Sequence, residues 1–210
     1  MAVIPIIPAA VLLEQRSVSL SRLLSLSGTS PPLFSAVYEP LLVNLAAHIQ
    51  QLPDPIHPER DLLDRRLRHV ECALARRRGY FLPLGATPER IAREADVWTY
   101  AVFSAALLRG LEPDLRRLHV TLYGADQRPL PATHIGWMGL QASGACAYHV
   151  RQIHPGGGAD ATLLHVAGLM PTEGLCWLWR EPTVLSCWLQ ALSEPAPPPM
   201  LAPLLVNLNP

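Results

Sequence analysis

Apolar residues recur at three- and four-residue steps through much of the chain and switch to strict alternation in one stretch. From Tyr38 to Leu52, the positions Leu41, Leu42, Leu45, Ile49 and Leu52 share one helical face, and Pro40 suits a first turn. Pro53, Pro55 and Pro58 forbid its continuation. A second helix is expected from about Asp61 to Arg78, with Leu63, Leu67, Val70 and Leu74 as its apolar stripe. Arg65, Arg66, Arg68 and Arg76 fall largely off that stripe, and Gly79 suits the stop. A third helix has the clearest start signal: Thr87 as N-cap, Pro88 in the first turn, and Glu89 near the positive end of the dipole. It runs through Ile91, Ala95, Trp98, Val102, Ala105 and Leu108 and stops near Gly110.

Period two takes over at Leu118 to Tyr123, where Leu118, Val120 and Leu122 alternate with His119, Thr121 and Tyr123. This predicts a strand, followed by a turn at Gly124 to Gln127. A second strand is expected from Ala145 to Ile153, closed by a flexible turn at Gly156-Gly157-Gly158. Helices are expected from Ala161 to Leu169 and from Glu181 to Leu192, the latter burying Leu185, Trp188, Leu189 and Leu192. Residues 1–32 read as an N-terminal arm and Ser-rich linker, 33–193 as the main domain, and 194–210 as an extended Pro-rich tail. The six residues from Pro40 to Leu45 recur from Pro203 to Leu208. One coincidence without a sustained period is not a repeat architecture. The fold class expected is mainly α, with a small β element at about 118–153 and C-terminal helices.

Composition narrows the classes. The 210 residues are 50% hydrophobic and 16% charged with a formal net charge of zero, which excludes a disordered chain and a polybasic coat. All 17 basic residues are arginine, so a motor that needs the Walker lysine is excluded. The apolar start from Ala2 to Leu13 has no basic segment before it, holds two prolines, and stops at Glu14. It reads as a strand or arm packed on the body rather than a signal peptide or membrane span, and the chain is expected in the cytoplasm.

The chemistry-bearing residues are dispersed. Cys72, Cys146, Cys176 and Cys187 lack zinc-type pairing and read as reduced thiols. The glycine cluster lacks the lysine of a phosphate loop, and there is no serine elbow. Among the eight histidines, a metal site is conceivable from His57, Asp61 and His69, with His48 as a further donor. Scattered loop and helix histidines are the commoner reading, and no cofactor is expected. From Arg60 to Arg78, seven arginines face three acids, a local charge of +4. Arg65, Arg66, Arg68, Arg76, Arg77 and Arg78 could contact a nucleic-acid backbone or another anion. The alternative is a solvated helix face with ion pairs such as Asp61 to Arg65 and Asp64 to Arg68.

The order of segments resembles a known family. The stretches Glu39-Pro40-Leu41-Leu42, Gln51-Leu52-Pro53, Leu62-Leu63-Asp64, Arg78-Gly79-Tyr80-Phe81-Leu82-Pro83 and Trp98 to Leu108 are similar to the N-terminal domain of TraI-type conjugative relaxases of integrating conjugative elements. That family carries a helicase label. Tyr148-His149-Val150, Met170 to Leu178 and Trp188 to Ser193 continue the resemblance, which spans about residues 33–193. It implies an HD-like metal phosphohydrolase scaffold, with a histidine after the Leu-Leu-acid triplet and a His-Asp pair ending the long helix. Here Arg65 stands at the first position and Arg109-Gly110 at the second. Arginine stays protonated, has no lone pair to donate, and repels a divalent cation. The resemblance therefore implies a degenerate copy with no catalytic residues and no metal. Its expected role is as an accessory to conjugative DNA transfer that binds DNA or a protein of the transfer machinery, without a membrane. The alternative is a metal-dependent phosphohydrolase or nuclease with a rebuilt His57, Asp61 and His69 site.

Overall fold

The computed structural model describes residues 3–130, 139–154 and 160–208. It is mainly helical with a small antiparallel sheet, as the periodicity predicts. The chain divides into two compact units built from interleaved segments: residues 1–16, 42–65 and 110–169 form one, and 17–41, 66–109 and 170–210 the other.

The first unit holds the sheet, in the order β1-β3-β2. Strand β2, Leu118–Tyr123, begins and ends where the alternation does, and Leu118, Val120 and Leu122 are its buried residues. It pairs with β3, Ala147–Gln152, with Val120 opposite Val150. Strand β1, Ile4–Pro5, adds to the other side of β3, with Ile4 opposite Tyr148. The apolar start is thus a short strand, followed by helix α1, Ala9–Glu14, whose Leu12 and Leu13 are buried. Two further short helices belong to this unit, α7 (Leu111–Leu115) and α8 (Thr162–Leu169), and they pack on each other.

The second unit is organised on α6, Pro88–Leu108. Thr87 caps it by accepting the Arg90 N–H, and every residue from Val97 to Leu108 is buried. Against it pack α9 (Thr172–Trp179), α10 (Pro182–Ser193) and α11 (Ala202–Leu205). The Trp188 indole of α10 donates to Ser104 Oγ at 2.9 Å, so the buried polar edge of the ring has a partner. The boundary between the units falls within α4 (Glu39–Ile49) and α5 (Leu62–Arg77).

Several expectations need correction. Residues 17–32 are not a linker: Ser17–Ser27 is helix α2 with Leu23 fully buried, and Pro31–Leu33 is a short turn, α3, capped by Ser30. It runs into a π-helical turn at Phe34–Tyr38. The tail is not uniformly extended, because Leu201, Leu204, Leu205 and Leu208 are buried and draw it onto the body as α11. On α10 the buried residues are Val184, Trp188, Ala191 and Leu192, while Leu189 is 39% exposed and Leu185 half-buried. The stripe of α5 is buried as expected, but Arg65 and Arg66 are buried beside it. Gly156 to Gly158 lie outside the described residues. No described helix is long and apolar enough to cross a membrane.

Candidate functional site

In the first unit, buried charge gathers around the first turn of α5. The Pro-rich loop before that helix is closed by a bridge between Pro53 and Asp61, and within it the Asp54 N–H donates to the Arg60 carbonyl at 2.7 Å. Asp54 Oδ1 accepts the Ile56 N–H at 2.8 Å, so a fully buried carboxylate is fixed in place by its own loop. Asp114 arrives from α7. Gly110, at φ +68°, makes the left-handed turn between α6 and α7, a conformation that glycine adopts at no steric cost. An aspartate at this position would be strained.

Arg65 lies between these two carboxylates. Its Nε is 2.9 Å from Asp54 Oδ2, an ion pair without hydrogen-bond alignment, and its Nη2 donates to Asp114 Oδ2 at 2.5 Å. The guanidinium sits where two carboxylates converge. A buried guanidinium is tolerable only with such partners. The pairs drawn from helical spacing therefore give way in part: Asp61 turns to Arg16 Nη2 at 2.7 Å, and Arg16 Nε also holds Asp64 Oδ1 at 2.5 Å. Burial and the neighbouring Asp64 push the Asp61 carboxyl upward, against the pull of Arg16.

A second cluster in this unit holds His48, considered above as a further metal donor, with partners that the sequence did not single out. Glu112 of α7 reaches His165 of α8, with Oε2 2.6 Å from Nε2. His165 Nδ1 in turn lies 3.1 Å from His48 Nε2 on α4. The two imidazoles meet edge-on at 85° and both are buried. Arg116 Nε stands 3.5 Å from the other oxygen of Glu112, and the Glu112 N–H donates to Thr162 Oγ1 at 3.3 Å. Burial, and secondarily the adjacent His165, lower the pKa of His48 from 6.5 to about 4, so it is neutral at pH 7. Gly139 packs directly on the His48 ring, where a Cβ would clash. The sequence signal for this cluster is slight: Glu112 and Asp114 fall on one short helix after a glycine turn, and His165 sits in an apolar run.

The remaining arginines of interest belong to the second unit and donate to backbone carbonyls, several of them at helix ends. Arg66, 1% exposed, donates to the Arg109 carbonyl at 2.5 Å and the Leu107 carbonyl at 3.5 Å, at the C-terminus of α6. The Arg109 side chain donates to the carbonyls of Ala191, Glu194 (3.0 Å) and Pro195 (2.5 Å), closing the end of α10. Arg76 donates to the carbonyls of Val206 and Asn207, Arg77 to those of Tyr80 and Ala95, and Arg78 to that of Ser25. Carbonyls left over at helix ends need donors, and a cation also complements the negative pole of the dipole. Arg76 and Arg78 remain exposed, whereas Arg68 is half-buried.

The residues at the positions compared with an HD-type site do not fit a metal. Arg65 and Arg109 are cations, each engaged by acceptors of its own unit, and Gly110 has no side chain to offer. Of the residues considered for a rebuilt site, His57 and Asp61 belong to the first unit and His69 to the second. Asp61 is bound to Arg16, and His57 is on an exposed loop 3.8 Å from Glu59. Among the described residues no group of three or more His, Cys, Asp or Glu could hold a metal ion.

A search of curated proteins gives no match. The family model TraI_2, described as "Putative helicase", matches residues 5–202, which includes the helical N-terminal segment and runs into the tail as far as the first residue of α11. With nearly all of its length matched, the chain belongs to the TraI_2 family.

Proposed function

We propose that this chain is a non-catalytic, relaxase-type TraI domain of an integrating conjugative element. It acts in the cytoplasm as an accessory to conjugative DNA transfer by binding DNA or a protein of the transfer machinery. The reading rests on one observation above all: Arg65, at the position compared with a ligand histidine, is ion-paired to two buried aspartates. A phosphohydrolase of the HD type needs a metal to activate water, and a guanidinium supplies no lone pair to hold one. Helicase action would need a nucleotide-binding lysine, and the sequence contains no lysine.

The test is metal analysis of the purified full chain together with a metal-dependent phosphodiester hydrolysis assay. Substoichiometric metal and no hydrolysis are expected. A stoichiometric divalent metal that is lost on His57→Ala would overturn the reading. DNA binding is tested separately with a labelled single-stranded oligonucleotide at low salt. The exposed Arg76 and Arg78 each keep guanidinium N–H groups beyond those given to carbonyls, so the contact is expected to weaken in the Arg76→Ala/Arg78→Ala variant and to show a shallower salt slope. Absence of binding at low salt leaves the protein partner as the accessory's target.

A further inference from the structure

We propose that the outer face of the small sheet binds single-stranded DNA, with Tyr123, His149 and His119 receiving bases and Arg117 and Arg151 receiving phosphates. The contact extends the DNA-binding side of the proposed function, on which it rests, to residues of the first unit outside the arginine-rich helix. Three features of the sheet carry it.

The first is the side-chain pattern. Strand β2 buries Leu118, Val120 and Leu122, so His119, Thr121 and Tyr123 stand on the other face. The register sets Arg151 opposite His119, His149 opposite Thr121, and Ala147 opposite Tyr123. Arg117 comes one alternation before His119, and the pairing continues there as its carbonyl accepts the Ile153 N–H at 2.8 Å. The second is charge. Neither strand contains an acid, and Arg117 and Arg151 are exposed. Asp126, in the turn that follows β2, already lies 3.7 Å from Arg128. Among the described residues, no hydrogen bond or ion pair engages the side chains of Arg117, His119, Tyr123, His149 or Arg151. A face of cations and rings without acids complements a phosphate backbone. The third is spacing, which favours a single strand over a duplex. Tyr123, His149 and His119 occupy successive diagonal positions across the two strands, about 7–8 Å apart. Bases stacked in a duplex rise only about 3.4 Å per step. Rings at twice that separation suit bases that have left the stack, with guanidiniums beside them to neutralise the backbone. An acidic peptide would use the arginines but not the rings.

The experiment measures binding of a labelled oligothymidylate to the full chain by fluorescence anisotropy over a salt series. It compares wild type, Arg117→Gln/Arg151→Gln and Tyr123→Leu/His149→Ala, each first checked for folding by circular dichroism. The arginine variant is expected to bind more weakly and to flatten the slope of log K against log salt by about 1.4, at about 0.7 for each phosphate contact on a single strand. The ring variant is expected to bind about tenfold more weakly with an unchanged slope, because stacking releases no counterion. If the ring variant does not fold, His119→Ala is read in its place. Unchanged affinity in both variants, or a loss confined to Arg76→Ala/Arg78→Ala, would overturn the contact. A loss in only one of the two sheet variants would overturn it as well, and a loss in the arginine variant alone would fit an acidic peptide instead. Tighter binding of the duplex with oligoadenylate, or of an oligouridylate, would overturn the assignment to single-stranded DNA. No binding by wild type at low salt would remove this contact and leave the accessory reading with a protein target. Stoichiometric metal and hydrolysis in the wild type would instead refute the non-catalytic reading, so the two failures are distinct.

Discussion

At the residue scale, a single side chain can be read incorrectly from its type and still be explained by its surroundings. Arg65 and Arg66 lie off the apolar stripe of α5 and on a solvated face by helical spacing, yet both are buried because acceptors from distant segments meet them. His48 falls within an ordinary amphipathic helix but ends up sealed between His165 and Gly139. This has a measurable consequence. The His48 pKa is lowered from 6.5 to about 4 in the folded protein, so between those values the unfolded chain binds more protons than the native one. Stability from this group is complete above pH 6.5 and is lost as the pH falls toward 4. It should amount to roughly 3 kcal/mol at most, because each tenfold change in proton affinity is worth about 1.36 kcal/mol. Urea unfolding from pH 7 to pH 4 should show this decline, and His48→Gln should lack that part of the slope. An unchanged slope in the variant would show that His48 does not titrate between the two states.

At the scale of elements, packing overrides propensity where short segments are concerned. Helix α9 has no clear sequence signal, because Thr172–Trp179 is brief, contains Gly174, and is apolar on several sides. The structure explains the glycine: a Cβ there would collide with the hydroxyl and ring of Tyr100, which is fully buried and stacks on Trp177 with centroids 5.7 Å apart. Burial pushes the Tyr100 hydroxyl above its usual range, so it stays protonated. Gly174→Ala should therefore destabilise the protein by about 1–3 kcal/mol, the usual cost of overpacking a core. Chemical denaturation checks this, with Gly79→Ala as a control in which the nearest atom is 4.0 Å away. The serine-rich α2 illustrates the opposite case. Serine is a poor helix former, but Leu23 has a buried seat, and that tertiary contact favours helix over linker.

At the scale of the whole molecule, a chain without lysine uses arginine to close its helices and tether its tail. Arg109 joins the end of α10 to the first residues of the tail, and Arg76 holds the tail again at Val206 and Asn207. Arg109→Ala should cost about 1.5–3 kcal/mol, as expected for hydrogen bonds from a charged donor. It should also speed proteolytic cleavage between residues 194 and 208. Cleavage at the wild-type rate would show that the buried leucines alone retain the segment.

The long elements were legible in the sequence. Helices α4, α5 and α6, strand β2 and the family resemblance follow from periodicity, caps and motif order, because a buried stripe of ten or more residues or a clean alternation leaves few other ways to hide its apolar face. That Arg65, Arg109 and Gly110 stand at the positions the resemblance compares with metal ligands is also a matter of residue identity, open to the sequence alone. Only the tertiary structure decided what those residues do. Which carboxylates meet Arg65, which carbonyls receive Arg109, and how Glu112, His165 and His48 form a chain across three helices depend on contacts between segments up to 117 positions apart. Periodicity records which face of an element is buried; it carries no record of the partner buried against it.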